Sequence, residues 1–178
     1  LEKYYKTEEE FAGIHQELKH LPCPHCRRYG CLILHGYLYG YEQSGNWDQR
    51  GHRVFCSNRY RKTGCGRTFG LLQSRLVKNF MINARVLAAI LVLLCRGMCP
   101  FKIYDRLMNQ ISKTSVYRIV HRFRKAQSGI RTLLTRIKDP PDMPDTTDPL
   151  IQTIIHLRSA FTGCFTAEFQ HFFQVSIL

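Results

Sequence analysis

Leu21-Pro22-Cys23-Pro24-His25-Cys26 and, thirty residues on, Cys56-Ser57-Asn58-Arg59-Tyr60-Arg61-Lys62-Thr63-Gly64-Cys65-Gly66-Arg67-Thr68-Phe69 decide how this chain is read. Two residues separate Cys23 from Cys26, the spacing of a metal knuckle, and eight separate Cys56 from Cys65. Four thiolates suit a closed tetrahedral Zn2+ site, so the expected ligands are Cys23, Cys26, Cys56 and Cys65. Cys31, His25, His35 and His52 compete as ligands. The long second spacing adds about 1.2 kcal/mol of loop-closure entropy over a two-residue spacing. Structural zinc contributes on the order of 10 kcal/mol or more, so the insertion is tolerated.

Outward from the cysteines the pattern is that of a small zinc ribbon over residues 21–70. Leu32 to Tyr39 and His52 to Phe55 read as strands, and Glu42 to Gly51 as turn chemistry. Ahead of it, Phe11, Ile14 and Leu18 fall at helical spacing, with Thr7 three residues before Glu10, so residues 1–20 are expected to form an amphipathic helix.

After the ribbon the period becomes helical, and residues 71–138 are expected to be a helix-turn-helix-like domain. Asn83 can cap a helix from Ala84 to Cys95 that Gly97 ends, and Pro100 opens a second helix running to about Gln110. Ser112 or Thr114 starts a third, with Val116, Ile119, Val120 and Phe123 as its apolar stripe. Cys95, Cys99 and Cys164 are expected to be buried free thiols. Residues 139–149, rich in proline and aspartate, read as a linker. The apolar residues 150–178 read as a short helical tail that docks on the body or on a second chain. The fold class expected is therefore α+β.

Charge sets the class of partner. The chain has 178 residues, 26 Lys and Arg against 13 Asp and Glu, and a formal charge of +13. Residues 21–138 hold 22 of those cations against Glu42, Asp48 and Asp105, a local balance of +19. Such a block is the electrostatic footprint of a nucleic-acid binder. The longest apolar run, Val86 to Cys95, is shorter than the roughly 20 residues a bilayer needs, so no membrane span is expected. The N-terminal residues show no apolar signal region, and paired cysteines in a reducing compartment more often hold metal than disulfides, so the expected location is cytoplasmic.

Within the basic block, the inserted Arg59, Arg61 and Lys62, with Arg67 after the last cysteine, are expected at phosphates. Lys113, Thr114, Ser115, Tyr117 and Arg118 bring small polar groups, an aromatic ring and cations to the start of the third helix. A recognition helix needs that pattern to meet base edges in the major groove. Arg118 is the first choice for base reading. His121, Arg122, Arg124 and Lys125 extend the same helix toward the phosphate backbone.

These residues resemble the DNA-binding region of bacterial insertion-sequence transposases, in which a zinc ribbon precedes a helix-turn-helix. The likeness rests on Cys23-Pro24-His25-Cys26, Gly64-Cys65-Gly66-Arg67-Thr68-Phe69 and Thr114-Ser115-Val116-Tyr117-Arg118, and spans about residues 21–127. The chain departs from that pattern in its stretched second knuckle and in having no nuclease domain after the helices. The resemblance therefore implies sequence-specific binding of double-stranded DNA without catalysis, in a protein of a mobile element. Two other readings stand beside it. One is a protein-interaction module that meets a recombinase or polymerase, or a second copy, through the tail. The other is an RNA-binding ribbon that uses Tyr37, Tyr39, Tyr41 and Trp47.

Overall fold

A computed structural model describes residues 2–42, 45–107, 110–144 and 147–178. The chain is α+β and divides into two compact units, Leu1–Ser74 and Arg75–Leu178.

The first unit is a four-stranded sheet with one helix. Strand β1 (Glu2–Tyr5) leads into helix α1 (Glu8–Glu17), and β2 (Leu32–Tyr41), β3 (Trp47–Cys56) and β4 (Thr68–Gln73) follow. The strand order is β1-β4-β3-β2, with β1 parallel to β4 and the other pairs antiparallel. Thr7 Oγ1 accepts from the Glu10 N–H at 3.3 Å, and Glu10 Oε2 reaches back to the Lys6 N–H at 2.6 Å. That reciprocal cap satisfies donors at the helix start. Phe11, Ile14 and the buried Leu18 then pack on one face of the sheet, over Tyr5, Leu32, Val54 and Leu71.

Three expectations are corrected here. The helix expected over residues 1–20 is preceded by a strand, β1, whose formation depends on β4 some seventy residues away. The expected ribbon strands are longer, and β4 is an additional one. The stretch from Trp47 to Gly51, expected as turn, belongs to β3. Gly51 is there for close approach rather than for turning: a Cβ would run into the Leu71 carbonyl oxygen of β4. The reversal is confined to a few residues, where the Glu42 N–H donates to the Asn46 carbonyl at 2.8 Å. Gln43 and Ser44, part of the expected turn, lie outside the described residues.

The second unit is helical. Helices α2 (Ala84–Cys95), α3 (Pro100–Leu107) and α4 (Lys113–Leu134) are followed by α5 (Pro149–Ala160) and α6 (Phe165–Phe173). Asn83 Oδ1 caps α2 through the Val86 N–H, and Ser112 Oγ caps α4 through the Ser115 N–H. Gly97, at φ 76°, takes the left-handed position just after α2. Helix α3 ends at Leu107, three residues before the expected Gln110; Met108 and Asn109 lie outside the described residues.

The C-terminal segment is not an appendage of this unit. Helix α5 packs on α4 and α2, and α6 packs on α2 and α5. Ile154, Leu157 and Phe169 are fully enclosed in the same core as Leu87, Ile90 and Phe123. Two buried polar groups fix the docking: Thr166 Oγ1 donates to the Ala84 carbonyl at 2.7 Å, and Gln170 Nε2 donates to the Leu76 carbonyl at 3.0 Å. Unpaired, each would cost about 1–3 kcal/mol. The cysteines expected to be buried here are not: Cys95 and Cys164 are partly exposed and Cys99 is exposed.

Truncating Phe169 to alanine therefore removes a central side chain of the helical unit. The expected loss is about 3–5 kcal/mol, read as a lower urea midpoint for that unit.

Candidate metal centre and basic surfaces

The sulfurs of Cys23, Cys26, Cys56 and Cys65 lie within 4.8 Å of one another. Two of the separations, Cys23 to Cys65 and Cys26 to Cys56, are 3.9 and 3.8 Å. A disulfide would need about 2.05 Å. Four sulfurs about 2.3 Å from a common centre would be about 3.8 Å apart, so the donors fit a tetrahedral ion. Cys23 and Cys56 are buried, while Cys26 and Cys65 are partly exposed.

The two knuckles are built alike. In the first, the Arg27 N–H donates to the Cys23 carbonyl at 2.8 Å and the Cys23 N–H donates to the Arg28 carbonyl at 2.9 Å. In the second, the Gly66 N–H donates to the Cys56 carbonyl and the Cys56 N–H donates to the Arg67 carbonyl, both at 2.9 Å. Arg27 and Gly66 occupy equivalent left-handed positions, at φ 59° and 72°. Backbone donors also reach sulfur, the His25 N–H at Cys23 and the Cys65 N–H at Cys56.

The eight-residue spacing is absorbed by a pinch. The Gly64 N–H donates to the Ser57 carbonyl at 2.9 Å, so Ser57 and Gly64 stand where the two spacer residues of a short knuckle would stand. The approach is close enough to need glycine: a Cβ on Gly64 would run into the Ser57 carbonyl and come within 2.8 Å of Cys56 Sγ. The rest of the insertion loops outward, and Arg28 holds its far side by donating to the Thr63 carbonyl.

None of the competing ligands joins the cluster. His25 Nε2 donates to the Thr68 carbonyl at 3.2 Å, and His35 lies against Phe55. His52 stacks on Phe11 at 3.8 Å. Cys31 is buried, and its carbonyl accepts from the Ser57 N–H.

Thiol acidity is uneven across the site. Backbone hydrogen bonding at Arg28 brings Cys26 down to about 7, whereas burial pushes Cys56 up to about 12. A buried thiolate at Cys56 needs a compensating positive charge, which a bound cation supplies.

The cations singled out in the sequence fall into two sets. Arg59, Arg61 and Arg67 are exposed in the first unit and Lys62 is half-buried. Tyr60 at the loop tip is 95% exposed. In the second unit, Thr114, Tyr117, Arg118, His121 and Lys125 recur along the exposed face of α4, opposite the buried Val116, Ile119 and Phe123. Arg124 is also exposed, and Ser115 accepts a hydrogen bond from Ser112 Oγ at 2.9 Å. Helix α4 contains six Lys and Arg and no carboxylate.

Two aromatic rings that organise these cations escaped the sequence reading. Phe80 lies under both Arg118, at 4.6 Å, and Arg122, at 5.2 Å, and Phe101 lies under Lys113 at 5.1 Å. No signal in sequence sets them apart, since Phe80 adjoins Met81 and Ile82, Phe101 lies near Ile103, and both read as ordinary apolar positions. Arg122 and Lys125 also border an open cleft of about 360 Å³. No protein-family model, curated protein or solved structure matches the chain.

Three outcomes follow for the metal centre. Elemental analysis should find one metal ion per chain, lost in Cys56→Ser with melting of the first unit but kept in Cys31→Ser. A chain lacking residues 58–63 should keep its metal, since Ser57 and Gly64 already close the knuckle. Because uptake must displace the proton of Cys56, apparent metal affinity should rise with pH above neutrality and fall as pH drops, measured by competition with a chromogenic chelator.

Proposed function

We propose that this chain is a zinc-dependent, sequence-specific DNA-binding protein. The first unit is a zinc ribbon and the α2–α4 region is a helix-turn-helix whose third helix reads the major groove. Zinc is the ion of choice because four closed thiolates suit a soft-tolerant tetrahedral cation with no redox demand. Its role is structural: the two knuckles hold β3 and the loop before β4 in place.

One observation carries the reading. Helix α4 follows a short connection from α3 and presents a face of cations, hydroxyls and rings with no carboxylate on the whole helix. A polyanion meets no repulsive side chain from this helix. Arg118 stacked on Phe80 keeps its N–H edge available for a guanine while losing little freedom on binding. Arg122, Arg124 and Lys125 supply backbone-positioning contacts, and so do Arg59, Arg61, Lys62 and Arg67 from the ribbon. The resemblance to transposase DNA-binding regions gives the same reading a setting, a mobile element, without a catalytic role.

Partner binding through the C-terminal segment is less favoured, because Leu150, Ile154, Leu157, Phe165 and Phe169 are already spent on the core of their own unit.

Selection from a random duplex library with zinc-loaded protein should enrich one motif at physiological salt; absence of any motif would overturn base reading. On that motif, Arg118→Ala should cost about 1–3 kcal/mol and relax preference at one position. Lys125→Ala should weaken all duplexes alike and lower the salt slope by about one.

A further inference from the structure

The β2–β3 hairpin carries four large aromatic residues that no core uses. Tyr37, Tyr39, Tyr41 and Trp47 are 56%, 53%, 54% and 61% exposed. The register sets them on one face, with Tyr37 opposite His52, Tyr39 opposite Gln49 and Tyr41 opposite Trp47. Their rings run in series. Tyr37 and Tyr39 are 6.1 Å apart, Tyr39 and Trp47 are 6.3 Å apart and nearly parallel at 11°, and Tyr41 meets Trp47 edge-on at 4.9 Å. His52 continues the row at 5.4 Å from Tyr37 and stacks on Phe11, where α1 covers the sheet. From His52 toward the hairpin tip the four rings stand more than half exposed.

One exposed tyrosine is ordinary, whereas four adjoining rings make a patch that calls for an occupant. The polar groups around it narrow the choice. Gln49, whose amide lies 3.2 Å from His52 Nε2, shares the face. The hairpin's carboxylates do not: Asp48 pairs with Gly40 on the opposite face, and Glu42 acts on Arg50, whose side chain crosses Gly40 on that same opposite side. Glu8, which acts on His52, marks the acidic limit of the row at the α1 end. Among the described residues the four rings thus form a carboxylate-free surface, in a unit (residues 1–74) that carries 11 Lys and Arg against 7 Asp and Glu, a formal balance of +4.

We propose that this row is a stacking platform for the unpaired bases of single-stranded DNA. Every base offers a π-face, so stacking on Tyr and Trp is sequence-tolerant, and the net positive charge of the unit favours an anionic backbone over a neutral one. A neutral sugar would gain nothing from that charge. The choice of DNA over RNA rests on the duplex reading of α4; the stacking site itself does not.

Trp47 is the single tryptophan, which makes the site its own reporter. Zinc-loaded full-length chain would be titrated with a thymidine oligonucleotide of about twelve residues, following Trp47 emission. Saturable quenching is expected. Tyr39→Ala should weaken it about tenfold or more, and Tyr39→Phe should restore it. Both substitutions are at an exposed side chain, and unchanged circular dichroism and metal content check the fold. Affinity for the selected duplex should be unchanged by Tyr39→Ala. Absent quenching, quenching indifferent to Tyr39→Ala, tighter binding of a uridine oligonucleotide, or equal quenching by a neutral glucan would each overturn the proposal. Loss of duplex selectivity with single-strand quenching retained would sink the reading of α4 alone.

Discussion

Convergence of four thiols at one point is the constraint on which the N-terminal unit depends, because its enclosed apolar set is small. Its core cluster comprises nine residues, and three of them, Cys23, Cys31 and Cys56, are cysteines. Two of these, Cys23 and Cys56, belong to the four-thiol group, so the core and the candidate metal site share side chains rather than merely adjoin. A unit of this size buries too little to be secure on hydrophobic area alone. Buried thiols gathered without an ion also carry a penalty for ionisation, seen in the upward push on Cys56. Sheet order follows from the same constraint. The knuckle at Cys56 ends β3 and the return through Gly66 and Arg67 starts β4 beside it.

How much of this could be read in sequence depended on range. Features set within a few residues were legible: the Thr7 cap, the Asn83 cap, the break at Gly97, Pro100 as a helix start and the Ser112 cap. The four cysteines were legible because metal spacing is local at each knuckle, although only folding brings the knuckles together. Strand β1 was not, since Glu2-Lys3-Tyr4-Tyr5 has no alternation of its own and gains its partner from the far end of the unit. Strand β4 was hidden by Gly70, which is accommodated under the Leu38 side chain. Trp47 to Gly51 looked like a turn because polarity was taken as a sign of looping, when it is what the exposed end of an antiparallel hairpin carries.

The C-terminal unit shows the same limit at larger scale. Its last segment was legible as apolar helix, but composition could not say where the apolar face goes. The answer lies in two hydrogen bonds across some eighty or more residues, from Thr166 and Gln170, which no periodicity encodes. The proline-rich stretch before it separates helices without separating domains: His156 Nε2 donates back to the Lys138 carbonyl at 2.9 Å, tying α5 to the end of the α4 segment.

The pinch at Ser57 and Gly64 has a consequence for how the surface can vary. In a knuckle with two spacer residues, every spacer side chain sits beside the metal, and its size and charge are constrained. Here the spacers are reduced to Ser57 and Gly64, and residues 58–63 lie outside the closed ring. Tyr60 and Arg61 both hold left-handed backbone, at φ 51° and 65°, a conformation that costs a non-glycine residue of order 1 kcal/mol or more. The loop keeps that shape while Tyr60 contributes no burial to the unit. Stability therefore gives no reason for a cationic, aromatic tip at this position. The charge and the ring sit on the surface, held in place by an anchor that would close equally well without them.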